Sequence, residues 1–261
     1  MLISIIIPFH NEEKILKKTI GLVRDAVGKD DYRYEIIAVD DNSNDNTGVI
    51  LDNLAKNYSK SKHVVLRAVH KKNENIGPSG LGAALRLGFK HARGDALITF
   101  MGDLSDNPSD IPKLIKKFDE GYDIVCGSRF VPGGDVNDYP KIKMISNRLW
   151  NRIFGILFMT NLKDISNGFK LYRREVIDAA KPISKGFEIT AEIVLKGLIN
   201  NFKIIEVPVS WHNRKRGYGV SKFGSFSIAF VIMKLPKIGW SYGKLAVRLW
   251  LEFLNKRIFG V

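Results

Sequence analysis

Strand-length apolar runs recur through the first half of the chain roughly every 30 residues, each followed by a segment of helical period. No other feature restricts the fold as much. Residues 2–7 (LISIII) are apolar apart from Ser4 and stop at Pro8, the pattern of a strand covered on both faces. Ile15, Leu16, Thr19, Ile20, Val23 and Val27 then follow helical spacing. Strand-like runs return at 35–39 (EIIAV), 63–69 (HVVLRAV), 96–101 (ALITFM) and 123–126 (DIVC), with helical segments between them. Such units predict parallel strands joined by helical crossovers, hence an α/β fold with a mostly parallel central sheet and helices on both faces.

The rhythm breaks after about residue 130. Residues 132–140 (PGGDVNDYP) read as a loop, and 142–160 as a helix in which Lys143, Arg148 and Arg152 interleave with apolar residues. A short strand at 169–172, helices near 173–180 and 188–200, and a strand near 203–209 are expected next. From Phe223 onward the pattern predicts two or three amphipathic helices, broken at Pro236 and Gly239. No linker separates two independent domains.

Charge and cysteine usage narrow the partners. There are 41 Lys and Arg against 27 Asp and Glu, a net charge of +14. Nucleic acid, nucleotide, phospholipid or a membrane surface would suit such a chain. With Cys126 alone, no intramolecular disulfide is possible. The N-terminal residues read as a strand rather than a signal peptide, no run is long and apolar enough for a transmembrane helix, and a cytosol-facing protein is expected.

In open parallel sheets ligands bind beyond the carboxyl ends of the strands. Four such ends are polar here: His10-Asn11-Glu12, Asp40-Asp41, Gly77 to Gly82, and Asp103. Asn44, Asp45 and Thr47 read as helix-capping residues. Asp41 and Asp103 read as functional, because carboxylates gathered at one sheet edge repel unless a donor group or cation sits between them. The first turn has no glycine, the Gly77–Gly82 segment has the wrong spacing and position for a dinucleotide fingerprint, and no GxxxxGK[ST] loop occurs. Dinucleotide-fold and P-loop chemistry are therefore excluded.

Several motifs in order do resemble a family. The strand ending in Pro8-Phe9-His10-Asn11-Glu12-Glu13, the Val39-Asp40-Asp41-Asn42-Ser43 turn, the Gly-rich third turn entering Leu81-Gly82-Ala83-Ala84, and Gly127-Ser128-Arg129-Phe130 are together similar to the inverting family 2 glycosyltransferases of GT-A fold. Within them the chain is most similar to the dolichol- or polyprenol-phosphate mannosyltransferases, over about residues 1–222. The resemblance implies a nucleotide-sugar donor, a lipid-phosphate acceptor and a membrane surface. It places Pro8, His10, Glu12 and Asp41 around the nucleotide base and ribose, with His10 where the family usually has Tyr. After the fourth strand the family carries Asp-Ala-Asp-Leu-Gln, whereas this chain has Met101-Gly102-Asp103-Leu104-Ser105. Asp103 is thereby implied as a ligand of Mg²⁺ or Mn²⁺, with Asp106 as a candidate second ligand, since Met101 offers no oxygen.

Arg129 matches the arginine that faces the lipid phosphate in the family; a surface salt bridge is the plainer alternative. Lys143, Ser146 and Asn147 fall in the segment resembling the acceptor loop. Residues 164–169 (DISNGF) resemble a further family element, with a simple turn as the alternative. Arg214, Arg216 and Lys222 lie in a loop like the family's Arg…Gly-x-Ser-Lys segment, implied to close over donor and acceptor phosphates, with Arg216 and Lys222 on the donor. The reaction so implied is a single displacement, in which an already anionic phosphate oxygen attacks C1 and cations neutralise the departing diphosphate. Mannose, glucose and N-acetylglucosamine donors all fit.

Other readings stay open: a family 2 transferase with a saccharide acceptor, or an inactive nucleotide-sugar-binding scaffold. Nucleic-acid binding is disfavoured, because the positive charge sits among apolar helices of the second half and no reading motif occurs. Residues 1–222 form the expected catalytic domain and 223–261 an expected membrane-surface anchor on the cytoplasmic face. Leu245, Ala246, Leu249, Trp250, Phe253, Leu254 and Ile258 make its apolar stripe. Packing of that stripe on the domain itself, or on a second subunit as a homo-oligomer, is the alternative.

Overall fold

In a computed structural model of the protein, residues 1–27, 31–58, 63–74, 80–213 and 235–259 are described. A seven-stranded sheet runs in the order β3-β2-β1-β4-β7-β5-β8. Its strands are β1 (Leu2–Phe9), β2 (Arg33–Asp40), β3 (Val64–His70), β4 (Ala96–Thr99), β5 (Ile124–Ser128), β7 (Lys170–Arg173) and β8 (Ile204–Pro208). All pair in parallel except β7, which lies antiparallel between β4 and β5. Two short strands, β6 (Asp135–Asn137) and β9 (Ser210–His212), pair separately. The sequence reads 132–140 as loop throughout; a three-residue strand carries too few positions to show a period.

The two-residue period of the strands feeds two cores. Ile3, Ile5 and Ile7 of β1, with Ile36 and Ala38 of β2, face one side. There they meet Leu16, Ile20 and Val23 of α1 (Leu16–Ala26) and Ile111, Leu114, Ile115 and Phe118 of α4 (Ile111–Asp119). Ile6, Ile37 and Val39 face the other side, against α3 (Leu81–His91) and α7 (Ile189–Ile199). Gly88 lets α3 settle on β1, because a Cβ there would lie 2.3 Å from Ile6. The remaining helices are α2 (Thr47–Tyr58), α5 (Lys141–Leu157), α6 (Arg174–Ala180) and α8 (Leu235–Phe259).

Helix α8 runs unbroken through Gly239, which corrects the break expected there. The helices expected between residues 223 and 234 lie outside the described residues. The expected apolar stripe divides. Leu245, Ala246 and Leu249, with Tyr242, are buried in the α3–α7 core and Phe253 packs against it, while Trp250 and Ile258 of the stripe are exposed, as are Trp240, Val247 and Leu251 outside it. Much of the stripe therefore covers the domain itself, and α8 also carries Arg248, which pairs with Glu192 of α7 at 2.8 Å.

Candidate functional site

One cavity opens at the carboxyl ends of β1, β2 and β4. Its lining includes every sequence-expected site residue that lies in the described part of the chain: Pro8, His10, Glu12, Asp41, Asp103, Asp106, Arg129, Lys143, Ser146 and Asn147. Arg214, Arg216 and Lys222 lie outside the described residues, as do Gly77 to Ser79.

The turns after β1 and β2 are tied to each other. Asn11 and Asn42 adopt positive φ (both 56°), a conformation Asn tolerates. The Glu12 N–H donates to Thr47 Oγ1 (2.8 Å), Glu13 N–H to Asp45 (3.2 Å), and Asn44 N–H to Asn11 Oδ1 (2.8 Å). Asp45 accepts from the Thr47 N–H at 3.0 Å, as expected of a helix cap, whereas Asn44 and Thr47 tie the two turns together instead of capping the helix. Asp41 is buried, accepts hydrogen bonds from the Gly80 N–H (2.9 Å) and pairs with the buried Lys71 at 2.7 Å. His10 Nδ1 lies 2.7 Å from the Asp41 carbonyl. The Gly-rich turn has a steric reason as well, since a Cβ on Gly82 would sit 2.3 Å from the Ser184 carbonyl oxygen.

Past β4 the chain turns sharply, with Leu104 at φ 54°, a strained conformation for a branched side chain. The Asp103 carboxylate accepts from the Ser105 N–H (3.1 Å) and hydroxyl (2.7 Å). Asp106 is 1% exposed, and neither of its carboxylate oxygens has a hydrogen-bond partner among the described residues. Burial, then the neighbouring Asp103, push its pKa up to about 7. Two carboxylates in one cavity, one of them orphaned, are what a hard divalent cation relieves. Among the described residues no group of three or more His, Cys, Asp or Glu side chains could hold a metal. The donor set fits a cation that shares its coordination with substrate phosphates and water.

Arg129 comes from the end of β5. It is buried, not a surface salt bridge. Its Nε and Nη2 meet both oxygens of Asp164 at 2.7 and 2.8 Å, and its Nη1 donates to the Tyr139 hydroxyl at 3.1 Å. The Asp164 partner carboxylate answers the question left open for residues 164–169. The segment is both a turn and the anchor of Arg129, and Asn167 from it donates to the Gly127 carbonyl at 2.7 Å. Asn147 donates to the same Tyr139 hydroxyl. Lys143 Nζ sits 5.2 Å from the ring centres of both Tyr139 and Trp211. Burial and then Arg129 lower its pKa to about 8, against the pull of Asp103 and Asp106.

The sequence reading missed Lys71, Tyr139 and the apolar wall. Leu81, Trp150, Phe187, Ile238 and Tyr242 line the cavity from α3, α5, α8 and the approach to α7. Ile238 and Tyr242 lie beyond the expected boundary at 222. Nothing in a local pattern announces that a C-terminal helix returns to the site.

Comparison with known proteins agrees with this geometry. The model of "Glycosyl transferase family 2" matches residues 4–180. The chain is 32% identical over 241 residues to a polyprenol monophosphomannose synthase of Mycolicibacterium smegmatis, covering 90% of this chain and 86% of that protein. It is 34% identical over 220 residues to a dolichol-phosphate mannosyltransferase of Pyrococcus furiosus, covering 83% of this chain and 58% of that longer protein. Among solved structures, glucosyl-3-phosphoglycerate synthase from Mycobacterium tuberculosis, crystallised with Mn²⁺, UDP-glucose and phosphoglyceric acid, superposes with a TM-score of 0.64 at 17% identity. The match covers 98% of this chain and 79% of that one. The same synthase has also been crystallised with Mg²⁺ and UDP. These matches establish the GT-A fold.

Proposed function

The chain belongs to glycosyltransferase family 2, and from that membership we propose that it moves a hexose, mannose first among the candidates, from a nucleotide-diphosphate sugar to the phosphate of dolichol or a polyprenol, inverting C1. The observation that carries this reading is the make-up of the central cavity. The acidic strand ends, two cations (Arg129 and Lys143) and an apolar wall of Trp150, Phe187, Ile238 and Tyr242 share it. Such a wall suits a polyprenyl chain, which gains by leaving water. The names of the two mannosyltransferase relatives support the same acceptor class.

In this reading Pro8, His10, Glu12 and Asp41 receive the base and ribose, with Asp41 pre-set by Lys71 and the Gly80 N–H. Asp103 and Asp106 would hold Mg²⁺ or Mn²⁺, which when bound supplies positive charge to the departing diphosphate. Lys143, Ser146, Asn147 and the Nη1 edge of Arg129 orient the acceptor phosphate. Asp164 occupies the other edge of that guanidinium and fixes its plane. The acceptor oxygen is anionic at neutral pH, so no side chain has to remove a proton. Arg214, Arg216 and Lys222 are assigned to the diphosphate on the motif alone.

The protein would work as a peripheral protein on the cytoplasmic face of a membrane. No helix among the described residues is long and apolar enough to cross one. The exposed faces of α5 (Ile145, Leu149, Ile156) and α8 (Trp240, Val247, Leu251, Ile258) supply apolar contact.

The test is a panel of GDP- and UDP-sugars with dolichyl phosphate in detergent, scored for glycolipid and for anomeric configuration. Mannolipid of inverted configuration is expected. A retained configuration would overturn the single displacement. Equal transfer to a soluble saccharide would overturn the lipid acceptor, and nucleotide binding without transfer would favour a scaffold.

A further inference from the structure

A second pocket, of about 530 Å³, lies on the outer side of α5 and shares no lining residue with the central cavity. Its described lining includes Phe130, Arg148, Asn151, Arg152, Ile156 and Lys163. Three of these six are cations, and none of the three makes an ion pair among the described residues. Glu206 accepts from the backbone N–H groups of Lys163 and Asp164, both at 2.8 Å. The Arg148 guanidinium lies over the Phe130 ring at 5.1 Å, which orients it without neutralising it.

The floor of the pocket carries the more specific signal. Asn151 is 3% exposed; its Oδ1 accepts from the Ser166 N–H at 3.1 Å, which fixes the amide plane, and its Nδ2 has no hydrogen-bond partner. A buried N–H₂ donor without an acceptor costs free energy until a ligand oxygen meets it. A pocket lined by Asn151 and by three cations without ion pairs among the described residues suits an anion with several acceptor oxygens. A phosphate group has that chemistry.

We propose that this pocket binds the phosphate of an anionic membrane lipid, as a site separate from the transfer centre. The apolar surroundings choose the lipid over free phosphate. Ile156 on the pocket wall is 70% exposed, and Leu149 and Ile145 continue its face along α5 at 56% and 65%. A headgroup phosphate in the pocket would lay that face on the acyl boundary, turning diffuse attraction into a fixed orientation.

The experiment uses the full chain with phosphatidylcholine vesicles, with and without phosphatidic acid, and with no sugar nucleotide or polyprenyl phosphate, so it does not depend on the proposed transfer reaction. R148Q/R152Q should lower partitioning onto phosphatidic acid vesicles about ten- to thirty-fold. N151D keeps the acceptor for Ser166 but replaces the orphan donor with a carboxylate, and should lower it several-fold. K17Q/K116Q removes two exposed lysines from α1 and α4, on the other side of the sheet, and should change it less than about twofold. Thermal melting of each variant confirms folding. Equal losses for the two double variants, or wild-type binding by N151D, would overturn the pocket in favour of diffuse charge. If inorganic phosphate binds the protein through Arg148 and Arg152 while vesicle binding ignores them, the ligand is free phosphate and the lipid assignment falls.

Discussion

Asp103 and Asp106 stand three residues apart, yet one is hydrogen-bonded by Ser105 and the other is buried bare. Asp103→Ala should therefore abolish transfer, a loss of 10²-fold or more in kcat by the usual size of a lost charge-positioning group, while Asp106→Ala reduces it only partly. Near-normal kcat for Asp103→Ala would show that donor and cation lie elsewhere. Asp106 also leaves a signature in stability. Its carboxyl pKa is raised from the usual carboxylate range to about 7. Below about pH 4 both folded and unfolded states bind the proton and nothing is lost. As the pH rises towards 7 the unfolded state releases it first, so stability falls across that window. In metal-free protein, D106N should melt like wild type near pH 4 and higher than wild type at pH 8, and added Mg²⁺ should narrow the gap. Lys143 titrates in the opposite sense. With its pKa lowered to about 8, it loses charge as the pH rises, so kcat/KM for the lipid phosphate should fall above pH 8. K143R, charged throughout, should hold its value to higher pH. A shared alkaline fall would remove Lys143 from the acceptor site.

At the scale of elements, the joint between α7 and α8 decides whether the apolar wall exists. Glu192 is fully buried in α7, accepts from the Ile183 and Ser184 N–H groups, and pairs with Arg248 of α8 at 2.8 Å. Burial opposes its charge, but the hydrogen bonds from Ser184 and Ile183 and the nearby Lys196 outweigh it and lower its pKa. A depressed carboxylate pKa stabilises the fold above about pH 4.3 and ceases to do so as the pH falls through the folded value. E192Q should cost roughly 1.5–3 kcal/mol at pH 7, the scale of hydrogen bonds to a charged group, and little at low pH. Because Ile238 and Tyr242 reach the cavity from the same helix, E192Q should also raise KM for a polyprenyl phosphate more than KM for the donor. An equal rise in both would mean that α8 does not form the acceptor wall.

For the whole molecule, a net charge of +14 and two exposed apolar helix faces would suit a negatively charged surface. Co-sedimentation with anionic liposomes, weakened by salt, is expected. Truncation before α8 is a poor probe of this, because it would also remove Tyr242, Leu245, Ala246 and Leu249 from the core. Replacing exposed Trp240 and Leu251 by Ser should instead lower liposome binding while leaving the melting temperature within a few degrees of wild type. Unchanged binding would mean that this face of α8 meets another protein surface.

The sequence by itself determined the layers and the sheet edge at which the central cavity opens. A strand buried on both faces has to read as an apolar run, and a parallel sheet has to place its functional turns at one edge, so His10, Glu12, Asp41 and Asp103 could be gathered before any coordinates existed. The cap that Asp45 gives the Thr47 N–H was equally local. Only the tertiary structure decided what each charge faces. Arg129 is bound by Asp164 across 35 positions of sequence and Asp41 by Lys71 across 30, while the Asp106 carboxylate has no hydrogen-bond partner among the described residues. The stripe on α8 is the same case. A helix that packs on a core and a helix that lies on a membrane bury the same kind of face at the same spacing, so the pattern shows that Leu245 and Leu249 are covered but not by what. That depends on which surfaces the folded chain brings together at long range, and local periodicity carries no record of it.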